Sequence, residues 1–358
     1  MLRLVANIII TIGGLLILAR IVSVRPAPPI FFKKNCRNRK YNYPKEWKGT
    51  PMDRKGRFVN HEHPFYQNYV DILKWMPGHL YYLLRNYFHR TPVTLHHNNA
   101  FLEKQDVMIW LGHASFYLHI EGKRILIDPQ FYNSSVYKRH SKMPIDPSYF
   151  TSIDYILISH DHADHLDKRS LQLLVKQNKG VTILTGLGMD KIIRRYTGNP
   201  KCGIYCADWF EVYPLPAHSP EITFVPTRHY CKRVDTGYNT SLWGGFIIKV
   251  KDDKTRTIYY GGDSGKGDHF SMMKAFEPNI AILGIGAYKP SWFMTPNHMS
   301  PKEAIEACIQ TGADTLLPMH YGTFHLAYEG LEEPVKALKK LPCRVTLNIP
   351  VIGDVIPL

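Results

Sequence analysis

Three imidazoles and two carboxylates fall within six residues, His160-Asp-His-Ala-Asp-His165, which places His160, His162, Asp164 and His165 in one short stretch. Imidazole nitrogen and carboxylate oxygen are the ligand types zinc takes in catalytic sites, where one position stays open for water. A solvated polar loop is the plainer account, but it gives no reason for such density. Two ions side by side need more ligands than one loop supplies. Three more candidates stand downstream, each after an apolar run: His229 after Ile222-Thr-Phe-Val-Pro-Thr-Arg, Asp263 after Thr257-Ile-Tyr-Tyr-Gly-Gly, and His320 after Thr315-Leu-Leu-Pro-Met. Taken singly, each is as well explained as a hydrogen-bonded structural side chain. The repeated order of strand, ligand and turn is what joins them.

The elements that must position these residues are strand-rich. Ile153-Asp-Tyr-Ile-Leu-Ile-Ser159 is short, β-branched and bounded by polar residues, as a buried strand is, and it ends at the histidine cluster. Residues 106–111, 116–120 and 124–128 form a meander turning at Gly122. A helix is expected over 166–176 and a strand over 181–184. The style then repeats, with strands at 222–226, 243–250, 257–261 and 280–284 and a helix near 268–276. Ser300-Pro-Lys-Glu303 is a capping box with proline at the first helical position. Two β-then-α halves meeting at a cleft predict an α/β (α+β) fold, a four-layer αββα sandwich.

Other words in the chain carry a resemblance: Trp110-Leu-Gly-His-Ala-Ser115, Leu126-Ile-Asp-Pro129, Pro226-Thr-Arg-His-Tyr-Cys231, Gly284-Ile-Gly-Ala-Tyr288, Trp292-Phe-Met294 and His320-Tyr-Gly-Thr-Phe324. With HxHxDH and the later His, Asp and His, they resemble the metallo-β-lactamase fold superfamily. Within it they resemble the N-acyl-phosphatidylethanolamine-hydrolysing phospholipase D family, over roughly residues 41–345. The resemblance implies two Zn2+ per chain, with His160, His162 and His229 on the first, Asp164, His165 and His320 on the second, and Asp263 bridging. A carboxylate has two oxygens to span two cations, where a neutral imidazole offers one lone pair. Asp263, Asp164 and His298 are the expected catalytic groups. His298 lies where the family keeps a histidine near the substrate phosphate; a helix-entry histidine is its plain alternative. Tyr288, Trp292, Phe293 and Met294 are expected to wall the lipid side of the cleft, with core packing as the alternative for each. Asp128 resembles the family's buried aspartate that orients the ligand loop. Asp167 has either that task or a helix-start role, and His113 is either a donor to the ligands or structural.

The implied reaction is hydrolysis of N-acyl-phosphatidylethanolamine to N-acylethanolamine and phosphatidate. A lactonase or nuclease on the same site is the alternative, and a scaffold with a vestigial site is a third reading, disfavoured by the presence of all seven ligands. Length and a hydrophobic share of 44% suit one large domain, and six cysteines without framework spacing read as reduced thiols.

The N-terminal region carries a second set of expectations. Residues 4–19 hold no charge, and residues 1–24 read as a transmembrane anchor rather than a cleaved signal peptide. Residues 20–57 carry twelve Lys or Arg against Glu46 and Asp53, which predicts a single-pass membrane protein with its catalytic domain in the cytoplasm. The domain plan is therefore an anchor (1–24), a basic juxtamembrane arm (25–64), a hydrolase domain (65–345) and a C-terminal tail (346–358). Within the domain, residues 65–90 form an aromatic amphipathic segment, with Leu80, Leu83, Leu84, Tyr87 and Phe88 on one face and Trp75 among the interfacial aromatics. A membrane phospholipid and an anionic membrane surface are the expected partners, nucleic acid is not, and a homodimer is left open.

Overall fold

The computed structural model describes residues 31–33, 40, 42–44, 47–62, 69–96, 106–134, 136–199, 202–233, 236–250 and 256–358. Strand β1 (Phe31–Lys33) pairs with β2 (Thr50–Met52) as a short ribbon, and helix α1 covers Tyr69–Arg85. The first large sheet begins with the antiparallel meander β3 (Val107–Gly112), β4 (Ser115–Ile120) and β5 (Lys123–Ile127). It continues in parallel through β6 (Tyr155–Ile158), β7 (Thr182–Gly186) and β8 (Gly203–Ala207). Helices α2 (Lys168–Gln177) and α3 (Asp190–Thr197) make the crossovers.

The second half repeats the plan. β9 (Glu221–Val225), β12 (Gly245–Lys249) and β13 (Thr257–Tyr260) pair antiparallel, and β14 (Ile280–Gly284), β15 (Thr315–Met319) and β16 (Thr346–Leu347) extend the sheet in parallel. The ribbon β10 (Lys232–Arg233) and β11 (Gly237–Tyr238) lies between β9 and β12 in the chain, followed by helices α4 (His269–Met272), α5 (Ser291–Met294), α6 (Pro301–Thr311) and α7 (Glu333–Leu338). Strand β17 (Val355–Pro357) returns to the first sheet beside β3.

Alternation along the strands decides the layers. Met108, Trp110, Phe116, Leu118, Ile125, Ile127 and Leu157 turn to a core shared with Phe224, Phe246, Ile258 and Tyr260 of the second sheet. Their neighbours Ile109, Leu111, Tyr117, Leu126, Ile156 and Ile158 turn the other way, onto Leu171 and Leu174 of α2 and Ile192 and Ile193 of α3. Each such side chain contributes about 1.5–3 kcal/mol when fully buried, so both faces of the first sheet must be covered. On the far side of the second sheet, α6 seats Ala304, Ile305 and Cys308 in the same core. Its capping box between Ser300 and Glu303 forms as the sequence predicts. The result is the expected mixed α/β sandwich of two sheets between helices.

Four expectations need correction. Among the described residues no helix is long and apolar enough to cross a membrane, which overturns the single-pass membrane placement; the apolar segment 1–24 lies outside the described residues. Residues 47–62 of the stretch assigned to a juxtamembrane arm instead pack on the domain, with Trp47 and Phe58 in the main core. The C-terminal tail is no appendage either, because β16 and β17 give one strand to each sheet. Helix α1 is amphipathic, but Trp75, expected among the interfacial aromatics, lies on its buried side. Ile72, Trp75 and His79 form its buried stripe, continued by Asn86 just past its end, whereas Tyr81 and Leu84 on the helix and Tyr87 and Phe88 beyond it are exposed. Trp75 is drawn inward by stacking on Phe293, with ring centroids 5.3 Å apart.

Candidate metal centre

The seven ligand candidates converge at the strand ends where the two sheets meet, the usual place for sites on open α/β sheets. His160 follows β6, His229 follows β9, Asp263 follows β13 and His320 follows β15. Asp128 and His113 sit just past β5 and β3. His113, Asp128 and His320 have positive φ of 54°, 42° and 64°. A residue other than glycine there costs on the order of 1–3 kcal/mol, so the surrounding packing must hold these turns. Gly286 shows how tight it is, since a Cβ there would lie 2.0 Å from the His320 carbonyl oxygen.

Asp263 faces both halves of the cluster. Its Oδ1 lies 3.2 Å from His165 Nε2 and 3.0 Å from His320 Nε2, while its Oδ2 lies 3.7 Å from His229 Nε2 and 3.9 Å from His160 Nε2. Asp164 Oδ2 stands 3.8 Å from His165 Nε2 and 3.7 Å from His320 Nε2. His162 Nδ1 and His229 Nε2 are 3.0 Å apart. Two ligands on one zinc at about 2.0–2.1 Å cannot be more than about 4.2 Å apart, and every one of these pairs meets that limit. Moreover, His160 Nε2, His165 Nε2, His320 Nε2 and Asp263 Oδ1 are buried without a hydrogen-bond partner. Orphaned donor atoms at ligand spacing fit metal ions.

Neighbouring groups fix which nitrogen faces the centre. Asp128 accepts from Ser159 N–H, Ser159 Oγ, Tyr260 OH and His165 Nδ1, at 2.6–2.8 Å. With the Ser159 proton given to Asp128, its Oγ receives His160 Nδ1–H at 2.9 Å. His229 Nδ1–H donates to the Asn297 carbonyl at 3.2 Å. In all three histidines Nε2 is left with its lone pair toward the cluster, the arrangement metal-binding histidines need. His113 Nε2 bonds Asp164 Oδ2 at 3.0 Å, so it acts on a ligand as a donor.

The electrostatics are those of a site that demands positive charge. Burial alone would raise Asp263 and Asp164, but His165 and its neighbours hold both well below the usual carboxylate range. Burial alone would lower His320, yet Asp263 and Asp164 push it up to about 9. His298, lowered to about 4 chiefly by burial, is neutral. Its Nδ1 lies 3.9 Å from Asp263 Oδ2, and its ring stands 5.3 Å from His229 and 5.1 Å from His320.

Not every expected residue joins the centre. The Asp167 carboxylate caps α2 through Arg169 N–H and Ser170 N–H, so its role is the helix start. Asp161 turns away, accepting from Lys232 N–H and Thr236 Oγ1 to hold the β10–β11 ribbon. Trp292 is exposed, Phe293 lies against Trp75, and Met294 is buried with Ala287 and Ala327. Tyr288 is half-buried, its N–H bonded to Glu329. Sequence reasoning missed Tyr230, whose ring is 4.6 Å from His162 and 5.1 Å from His229; its place beside His229 was the signal. It also missed Ser159, Tyr260 and Asn60.

The sequence profile of the Beta-lactamase superfamily domain matches residues 123–321. The chain belongs to the beta-lactamase superfamily. Within it, this protein is a metal-dependent hydrolase with the metallo-β-lactamase fold. An uncharacterised protein of Mycobacterium bovis is 33% identical over 261 residues, 68% of this chain and 67% of its own. The N-acyl-phosphatidylethanolamine-hydrolyzing phospholipase D 1 of Caenorhabditis elegans is 28% identical over 65% of this chain and 68% of its own. A metal-dependent hydrolase of Caldivirga maquilingensis is 29% identical over 70% of this chain and 96% of its own. The superfamily member is thus about equally similar to a named phospholipase D and to hydrolases named only by their metal dependence.

Proposed function

We propose that this superfamily member is a dinuclear zinc phosphodiesterase of phospholipase D type, cleaving N-acyl-phosphatidylethanolamine to N-acylethanolamine and phosphatidate. The observation that carries the dinuclear reading is Asp263, whose two oxygens face different sets of histidines. His160, His162 and His229 would hold one ion, Asp164, His165 and His320 the other, with Asp263 shared. When bound, such a pair polarises phosphoryl oxygens, lowers the pKa of water and clamps both ends of an in-line displacement.

The chain's own groups supply the rest. In the net reaction, water oxygen bonds to phosphorus, the bond to the ethanolamine oxygen breaks, and that oxygen takes up a proton. Asp164 and Asp263 are the carboxylates near enough to hold the proton that water gives up. His298, neutral and beside Asp263, donates an N–H to a phosphoryl oxygen. The exposed Trp292 and the outer face of α1, with Tyr81 and Leu84 beside Arg85 and Phe88 just past the helix end, give an apolar and basic surface suited to a phospholipid partner. The name of the nematode relative supports the same substrate class.

The test is hydrolysis of N-acyl-phosphatidylethanolamine vesicles by purified protein, with metal analysis of the same sample. Two ions per chain and release of N-acylethanolamine are expected. Turnover of lactones or nucleic acid with none of the lipid would replace the substrate half of the proposal.

A further inference from the structure

Segment 57–62 precedes the part of the chain that matches the superfamily domain, yet it runs beside the loop that carries His229. Phe58 N–H donates to the Asn239 carbonyl, and the Asn239 side-chain amide returns a bond to Phe58 O at 3.0 Å. Asn239 also accepts from Cys231 N–H at 3.1 Å. One step further, Asn60 meets His229 itself. His229 N–H donates to Asn60 Oδ1 at 3.0 Å, and Asn60 Nδ2 donates to the His229 carbonyl at 2.8 Å. Both residues are buried, at 3% and 1% exposure.

The physical need is plain. His229 lies beyond the end of β9, so neither its N–H nor its C=O has a strand partner. A buried, unpaired backbone group costs about 1–3 kcal/mol. A primary amide offers one acceptor and donors in the geometry of a peptide group, so Asn60 pairs both groups at once, as a neighbouring strand would. With the backbone held by Asn60 and Nδ1 by the Asn297 carbonyl, the ring has little freedom left, and Nε2 points at Asp263. The segment is itself pinned. Asp53 accepts from Lys55 N–H, Arg57 N–H and Arg57 Nε, and Thr50 Oγ1 donates to Asp208 at 2.5 Å.

We infer that Asn60 is a positioning residue for the metal centre: segment 47–62 clamps His229 in cis, and the His160–His162–His229 site is incomplete without it. This rests on the metal reading of the cluster but not on the identity of the substrate. Asn60→Ala removes both hydrogen bonds; Asn60→Asp keeps the acceptor for His229 N–H and turns the donor into a second acceptor facing a carbonyl.

The test is cobalt titration of the full, metal-stripped chain, following the visible absorption of each site and the melting temperature of the metal-free protein. Asn60→Ala should weaken one of two binding steps by about 10–100-fold, the usual loss when a group orienting a ligand is removed, and change the absorption of that step alone. Asn60→Asp should shift the same step in the same direction. Thr311→Val, which removes a buried hydroxyl hydrogen bond at the C-terminal end of α6 and leaves the segment untouched, should lower the melting temperature with both binding steps unchanged. If Asn60→Ala does not fold, the near-isosteric Asn60→Asp decides. Wild-type affinities and spectra in the folded Asn60 variants, whatever their melting temperatures, would overturn the assignment. A wild-type chain that takes up no cobalt would instead overturn the metal reading beneath it. Because no step uses lipid, failure of the phospholipase proposal leaves this result intact.

Discussion

The candidate ligand loop after β6 and the candidate ligands after β9, β13 and β15 meet at one centre but are fixed in different ways. The first group is contiguous, and its support is side chain on side chain: Asp128 gathers Ser159, His165 and Tyr260, and His113 holds Asp164. The second group is scattered over some ninety positions. Of its members, His229 takes its support from outside its own strand, from the Asn60 amide and the Asn297 carbonyl. A dense group can be oriented by one buried carboxylate; a lone ligand on a loop needs a clamp for its backbone. Asp263 is where the groups join, and its replacement tests whether they form one centre. Asp263→Asn removes the anionic charge that both halves share. Loss of hydrolysis by about 10³-fold or more is expected, since the shared carboxylate organises several kcal/mol of charge stabilisation. Metal content should fall below two per chain while circular dichroism stays native. Full activity with two ions bound would separate the halves into independent sites.

The next largest effect belongs to the contiguous half alone. Asp128→Asn cannot accept from four donors as the carboxylate does, so His165 loses its fixed tautomer. Metal affinity should drop about 10–100-fold at the step that uses His165, and stability by about 3 kcal/mol, because charge-assisted buried bonds are lost. Isothermal titration and thermal melts read both. The step that uses His160, reached through Ser159, should fall less, and a wild-type affinity at the His165 step would overturn the role given to Asp128.

That division also explains what the sequence disclosed. HxHxDH was legible because the chemistry is packed into six residues, and Asp263 and His320 because each follows an apolar run of strand length. Short apolar runs bounded by polar residues located the strands from 107 to 127 and from 221 to 284, because a sheet covered on both faces needs apolar side chains at nearly every position. Asp128 came only through resemblance. Asn60 was invisible: an asparagine 169 positions from its partner leaves no periodic mark, and its basic surroundings drew attention to membrane charge instead. The side that Trp75 takes on α1 was misassigned for a related reason. Aromatics occur all round that helix, and only the packing of Trp75 on Phe293 decides which side is inward.

Helix α1 meets α5 through Trp75 on Phe293, and Gly78 allows its close approach to Tyr328. A Cβ at Gly78 would sit 2.3 Å from the Tyr328 ring, so Gly78→Leu should lift the helix and part Trp75 from Phe293. A destabilisation of about 1–3 kcal/mol is expected from such overpacking. Turnover of long-chain lipid should fall several-fold, with hydrolysis of a short soluble phosphodiester nearly unchanged. Equal loss on both would mean that α1 supports the scattered ligands themselves rather than the substrate wall.

The smallest effect tests the anchor of the clamp, and its sign follows from the pKa of Asp53. Burial pushes that carboxyl up, but the Arg57 guanidinium and the N–H groups of Arg57 and Lys55 outweigh it and hold the group below its ordinary 3.8. A lowered folded-state pKa contributes stability above the unfolded value, and the contribution is lost as pH falls through the folded one. Asp53→Asn should therefore be less stable than wild type at neutral pH by about 1–2 kcal/mol, with the gap closing as pH drops below about 4, where wild type also loses the charge. Thermal melts from pH 3 to 7 would show the two curves converging in acid. A gap that stayed constant across that range would mean that Asp53 acts through packing alone, and the clamp on His229 would then have to be anchored by Trp47 and Thr50 rather than by this ion pair.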